Sequence, residues 1–236
     1  MSLSLPDYLG PDPLARRFVE ARASGSQVAF DALCRERGPR LLSLPLLNQA
    51  ACRGLLAEID ARSRADQAAR STAPNSMHEY GAVLAEIGMA DLSRALRELV
   101  TPLAAHYFPD TGGLEIDGEH AFIAEYGRDG DESLGYHVDD SAVTLNVCLG
   151  DDFSGTEIYF RGLRCDEHRQ TPATPSETFE LEHEVGTALL HAGRHRHGVH
   201  PIRRGRRRNL ILWLQSANAR AEARACRPWC GARGLV

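Results

Sequence analysis

Hydrophobic positions in this chain follow one period early and another late. In the first half, Cys52, Leu55, Leu56 and Ile59 fall at i, i+3, i+4 and i+7, one face of a helix. Leu92, Leu96, Leu99 and Leu103 form a second helical stripe, preceded by Asp91 as its expected N-cap. Both stripes are read as core packing, and RLLSLPLL ahead of them as a first strand. From about Glu115 the apolar runs shorten to EHAFIAEY, AVTLNVCLG, TEIYF, EVGTALLH and NLILWLQ, separated by Gly, Asp and Pro. This is the spacing of a barrel or sandwich. In the second run Val143, Leu145, Val147 and Leu149 share one face, while Thr144, Asn146 and Cys148 share the other. One face should pack and the other look onto something polar. CDEHRQTPATPSETFE has no apolar period and two Thr-Pro pairs, so it reads as a long inter-strand loop, a common form of lid. The expected division is an N-terminal extension over residues 1–40 with one short helix, a single domain over 41–216 and a C-terminal tail over 217–236.

Composition narrows the classes. With 236 residues, 43% of them apolar and 25% charged, the chain can bury a real core. A net charge of −5 offers no global attraction for nucleic acid or an anionic membrane. The N-terminus lacks the basic and apolar regions of a signal peptide and no window is a membrane span, so the expected compartment is cytoplasmic. Six cysteines are sparse for this length and read as free thiols rather than a disulfide framework. Cys226 and Cys230 supply one pair, too few to close a structural zinc site without ligands from elsewhere.

The chemistry concentrates in two segments. LGYHVDDSAVTLNV carries His137-Val138-Asp139, and in extended backbone positions i and i+2 project to one side, so an imidazole and a carboxylate can converge on a cation. LLHAGRHRHGVHPIRRGRRRNLILWL offers His191, His195, His197 and His200 as a third ligand. Two His and one carboxylate on one face of an iron leave positions open for a chelating co-substrate and dioxygen. A dicarboxylate co-substrate needs its far carboxylate neutralised, which the planar fork of an Arg does best. Arg207 lies ten residues after His197 in the chain, with Arg206 the alternative if the register shifts by one. His195-x-His197 could instead be a zinc pair, but that leaves Asp139 and Arg207 without roles. RRGRRR reads as one functional arginine within a solvated strand face. DGDESLGYHVDD is not a calcium loop, because Leu134 stands where the turn demands Gly. The sequence contains no P-loop, dinucleotide fingerprint or nucleophile-elbow motif.

With its upstream PNSMHEYG, Tyr126, His137-Val138-Asp139, TLNVCLG, SGTEIYF, HAGRHRHG and GRRRNL in this order, the sequence resembles the Fe(II)- and 2-oxoglutarate-dependent dioxygenases of the prolyl/lysyl hydroxylase type. Within them it is most similar to the 2-oxoglutarate and iron-dependent oxygenase domain-containing proteins. The resemblance covers about residues 74–215 and departs from the pattern where Gly155-Thr156 replaces Gly-Gly. It implies an α+β fold, a double-stranded β-helix of the jelly-roll, cupin-like kind buttressed by N-terminal helices. It selects His137, Asp139 and His197 as iron ligands and Arg207 as the partner of 2-oxoglutarate, with Tyr126 and Asn146 lining that pocket. The implied cofactors are Fe(II), 2-oxoglutarate and O2, with ascorbate as an auxiliary reductant. The implied reaction is hydroxylation of an unactivated C–H in a peptidyl prolyl or lysyl side chain or a small amino-acid-like metabolite, releasing succinate and CO2. The reading from a different class is a non-catalytic metal-binding jelly-roll that senses or scaffolds. His191 is read as structural, and His168, His183 and His200 as solvated or locally hydrogen-bonded.

Overall fold

The computed structural model describes residues 12–65, 73–150 and 152–233. The first half holds α1 (Pro13–Ser24), α2 (Gln27–Asp31), β1 (Arg35–Gly38), β2 (Leu41–Pro45), α3 (Gln49–Ala65), β3 (Gly81–Val83) and α4 (Ala90–Tyr107). Strands follow: β4 (Gly118–Gly127), β5 (Leu134–His137), β6 (Val143–Gly150), β7 (Phe153–Gly155) and β8 (Ile158–Leu163). β9 (Thr178–Leu181), β10 (Thr187–Ala192), β11 (His195–Val199), β12 (Ile202–Gln215) and α5 (Ala217–Glu222) complete the order.

Two antiparallel sheets face each other. The larger runs β1-β2-β10-β6-β12-β4-β3 with β7 on the early part of β12, and the smaller runs β5-β11-β8-β9. From β4 to β12 the chain passes repeatedly between the sheets, the wrapping of a double-stranded β-helix. Alternation along each strand divides its side chains between two cores. Val143, Leu145, Val147 and Leu149 of β6 and Leu210, Leu212 and Leu214 of β12 turn outward, packing with the α3 and α4 stripes. Phe122, Ile211, Trp213 and Phe160 turn inward, between the sheets. The polar face of β6, Thr144, Asn146 and Cys148, is buried on that inner side.

Several elements differ from their sequence expectation. The N-terminal segment forms two helices, the first capped by Asp12, whose carboxylate accepts from Leu14 N–H at 2.7 Å. Phe18 and Phe30 enter the same core as α3 and α4. Asp91 lies in the first turn of α4 rather than at its cap, which is Met89. The last strand reaches back to Ile202, so the arginine run lies on a strand as expected, but Arg208 as well as Arg207 is buried. The long loop after β8 contains its own short turn, Pro175–Glu177, and then β9. Among the described residues no helix is long and apolar enough to cross a membrane.

Candidate metal and co-substrate site

Strand register brings the His-x-Asp segment to a histidine sixty residues away. β5 ends on His137, which sits directly opposite His197 on β11. Just past β5, Asp139 N–H donates to the Gly193 carbonyl at 3.0 Å, which turns the carboxylate inward between the two rings. Asp139 Oδ1 lies 3.4 Å from His137 Nε2 and 3.8 Å from His197 Nε2. One donor atom from each residue falls within 4.8 Å of the others. The outer nitrogens fix the tautomers: His137 Nδ1 is 2.7 Å from the Gly135 carbonyl and His197 Nδ1 2.8 Å from that of His195. Carbonyls only accept, so Nδ1 is protonated on each ring and Nε2 is the atom that faces the centre. Thr144 Oγ1 donates to Asp139 Oδ2 at 2.6 Å, leaving Oδ1 on the side of the rings.

Electrostatics follow from burial and proximity. Burial pushes the Asp139 carboxyl up, but the charge of His197 and the hydrogen bond from His137 outweigh it and hold it well below the usual carboxylate range. Burial, reinforced by His137, brings His197 down to about 3. His137 is also opposed by burial, yet its bond to Asp139 raises it above the ordinary value. A divalent cation answers this arrangement, since it replaces the protons that would otherwise neutralise a buried carboxylate.

A second polar group lies along β12 on the same inner face. Arg207 is fully buried, whereas Arg206 on the opposite face pairs with Glu125 at 2.6 Å and Arg208 with Asp60 of α3. Arg207 Nε donates to Asn209 Oδ1 at 2.9 Å, another N–H to the Thr156 carbonyl, and a third to His183 Nδ1 at 2.7 Å. Because His183 accepts there, its Nε2 bears the proton and donates to the Thr187 carbonyl at 2.9 Å. No carboxylate among the described residues pairs with Arg207. Tyr126 stands opposite it in the ladder, with the guanidinium 5.8 Å from the ring centre. Asn146 accepts from Asn209 Nδ2 at 2.6 Å, so Asn146, Asn209 and Arg207 form one polar row. Gly155 and Thr156 both adopt positive φ, 88° and 61°. Thr156 therefore keeps the backbone of the expected Gly-Gly despite its branched side chain, and its carbonyl holds Arg207.

Sequence reasoning left several of these residues without roles. His78, in PNSMHEYG, donates from Nδ1 to Asn75 Oδ1 and accepts the Tyr126 hydroxyl at Nε2, both at 3.2 Å. Burial and the nearby His137 bring it down to about 4. His183, expected at the surface or locally bonded, is buried and bonded to Arg207. Desolvation and that cation keep it neutral. Asn209 lay unremarked in GRRRNL. His191 is buried, with Nε2 3.8 Å from Asp139 Oδ2. His195 is wedged against Phe160 and Phe179, and neither ring nitrogen has a partner among the described residues. Trp213 Nε1, on the inner face of β12, is likewise a buried donor without a partner.

Comparison with known proteins agrees with this architecture. A model of the OGFOD2-like domain family matches residues 9–113. The chain is 40% identical over 223 residues to the 2-oxoglutarate and iron-dependent oxygenase domain-containing protein ICU11 of Arabidopsis thaliana, covering 92% of this chain and 56% of that protein. It is 38% identical over 199 residues to the 2-oxoglutarate and iron-dependent oxygenase domain-containing protein 2 of Mus musculus, covering 84% of this chain and 54% of that protein. The chain thus spans a little over half the length of these relatives. Two solved structures share the fold at 14% identity. One is a Pseudomonas putida prolyl-4-hydroxylase, with TM-score 0.51, covering 86% of this chain and 98% of that one. The other is a prolyl hydroxylase from Trichoplax adhaerens in complex with a hypoxia inducible factor peptide fragment, with TM-score 0.53, covering 89% and 92%. Fold and site thus define a double-stranded β-helix of the oxygenase kind. This chain belongs to the 2-oxoglutarate and iron-dependent oxygenase domain-containing family.

Proposed function

We propose that this chain is an Fe(II)- and 2-oxoglutarate-dependent dioxygenase that hydroxylates an unactivated C–H bond. The observation that carries the reading is the pairing of a two-histidine, one-carboxylate cluster with a buried Arg207 that has no carboxylate partner among the described residues. The donor set fits the metal: two neutral imidazoles and one ionised carboxylate on one face suit Fe(II) and leave the opposite face free. His137, Asp139 and His197 would hold Fe(II), which with 2-oxoglutarate and O2 supplies the oxidising power and yields succinate and CO2. Ascorbate would serve to keep the metal reduced.

The protein's own residues do the positioning. Gly135 and His195 carbonyls lock the ligand tautomers, and Thr144 orients the Asp139 carboxylate. Arg207, held from behind by Thr156, Asn209 and His183, offers a charge-assisted site for the far carboxylate of 2-oxoglutarate. Tyr126, fixed by His78, and Asn146, fixed by Asn209, line the same space. Phe160 stacks on the His197 ring, an apolar neighbour beside the centre. A peptidyl prolyl or lysyl side chain is the proposed substrate class, supported by the peptide bound to the solved neighbour of the same fold, with a small amino-acid-like metabolite as the alternative.

The test is succinate release from 2-oxoglutarate under Fe(II) and O2, with peptides and metabolites screened by mass spectrometry for an added oxygen. Succinate formed in step with a product heavier by one oxygen is expected. Tight Fe(II) binding without 2-oxoglutarate binding would overturn it in favour of a metal-binding scaffold.

A further inference from the structure

A second group of metal-type donors lies outside this centre. Cys165 and His168, at the start of the loop after β8, meet Cys226 and Cys230 from the segment beyond α5. One donor atom from each of the four falls within 4.8 Å of all the others. His168 Nδ1 is 3.2 Å from Cys165 Sγ and 3.7 Å from Cys230 Sγ. A tetrahedral zinc with the usual bond lengths of ~2.3 Å to sulfur and ~2.0 Å to nitrogen requires donor separations of roughly 3.5–3.8 Å. The four donors therefore need only small adjustments to enclose an ion.

Their surroundings place hydrogen-bond donors around the sulfurs, although burial pushes the Cys165 thiol up to about 11. Backbone N–H groups point at the sulfurs: that of His168 at Cys165, and those of Cys165 and Ala232 at Cys230. Cys165 and Cys230 are buried, Cys226 and His168 partly so, and Trp229 packs over the cluster. The buried Arg164 guanidinium, itself paired with Glu177, lies near Cys230. Main-chain bonds already join the halves: Asp166 N–H to the Ala223 carbonyl at 2.9 Å, and Gly231 N–H to that of Leu163 at 3.0 Å.

We propose that Cys165, His168, Cys226 and Cys230 form a structural Zn2+ site that fastens the C-terminal segment to the loop after β8. Four protein donors close the coordination sphere, so the ion takes no part in turnover and shares no ligand with the iron centre. The two centres also differ in preference, because three soft thiolates favour zinc where two imidazoles and a carboxylate suit Fe(II).

Metal content measured on the full chain, purified under reducing conditions with zinc supplied, tests this. About one zinc per chain is expected, retained in His137→Ala and lost in the double variant Cys226→Ser, Cys230→Ser. Should the double variant fail to fold, titration of the wild type with a mercurial thiol reagent should release zinc in step with modification of the cluster's thiols. Replacement by Co2+ should give thiolate charge-transfer bands and the intense visible bands of a tetrahedral site. Zinc that is lost in His137→Ala but kept in the cysteine variant would overturn the proposal, as would a zinc-free protein with these cysteines freely alkylated or disulfide-linked.

Discussion

Replacing Arg207 by Ala separates co-substrate binding from metal binding. Its guanidinium lies at the centre of the inner polar row, and what it lacks there is an anion. Loss of a buried charge-assisted pair costs about 3 kcal/mol, which at about 1.4 kcal/mol per decade weakens 2-oxoglutarate binding roughly a hundredfold. Arg207→Lys keeps the charge but loses the fork and should fall between. The truncation also leaves the Thr156 carbonyl, Asn209 Oδ1 and His183 Nδ1 without their donor, at ~1 kcal/mol each, offset by removal of a desolvated cation. Thermal unfolding should therefore show a folded protein of modestly lower stability. Calorimetric titration of 2-oxoglutarate into the metal-loaded protein supplies the affinity, and Fe(II) titration the control. Unchanged 2-oxoglutarate affinity in a folded Arg207→Ala would refute the reasoning. The same defect appearing in Arg206→Ala instead would show the register misjudged.

His197→Ala should abolish most Fe(II) binding, whereas His195→Leu should retain it and gain about 1 kcal/mol in denaturant unfolding, because it removes a buried ring with no hydrogen-bond partner. Thr144→Val deletes the hydroxyl that orients Asp139 and should weaken Fe(II) binding by about 10–100-fold with the fold intact, read by metal titration. Glu177, opposed by burial but bonded to Arg164, is lowered from 4.5 to about 2. A depressed carboxylate stabilises the fold above its unfolded value and loses that contribution as pH falls towards about 2, so Glu177→Gln should flatten the acid limb of stability against pH. A limb identical to wild type would contradict the ion pair's contribution. With Asp139 as the proposed third iron ligand, the product should carry one oxygen from O2 gas, and a chlorinated product in high chloride would overturn the hydroxylase assignment.

Local patterns were legible in the sequence and cross-strand relations were not. The alternation of β6 separates the helix-packed Val143, Leu145 and Val147 from the inward Thr144 and Asn146, because a period of two needs no knowledge of neighbours. The His137-x-Asp139 pair is similarly local. Choosing between His195 and His197 is not: both rings lie against Phe160, as their spacing dictates, and only register puts His197 opposite His137. The arginine run was ambiguous by one for a related reason. Register shifts between Ile202 and Arg204 and between Arg208 and Asn209 defeat counting, and the unbroken ladder against β4 sets Arg207 opposite Tyr126. His183 and His78 reach the inner space from loops, where no period announces direction.

The thiol cluster makes the same point more sharply and ties the two centres together. Cys226 and Cys230 alone are half a site, and Cys165 with His168 is another, so neither segment signals a metal until the fold joins them. What joins them also braces the proposed iron ligands. Asp139 N–H is bonded to the Gly193 carbonyl. The next residue, Arg194, donates to the Arg164 carbonyl at 3.0 Å and to Asp166 at 2.6 Å, on either side of Cys165. The turn that aims the Asp139 carboxylate therefore rests on the loop that the proposed zinc would fasten. A rigid support placed behind a ligand, rather than beside the substrate, would hold the donor geometry of the proposed iron site.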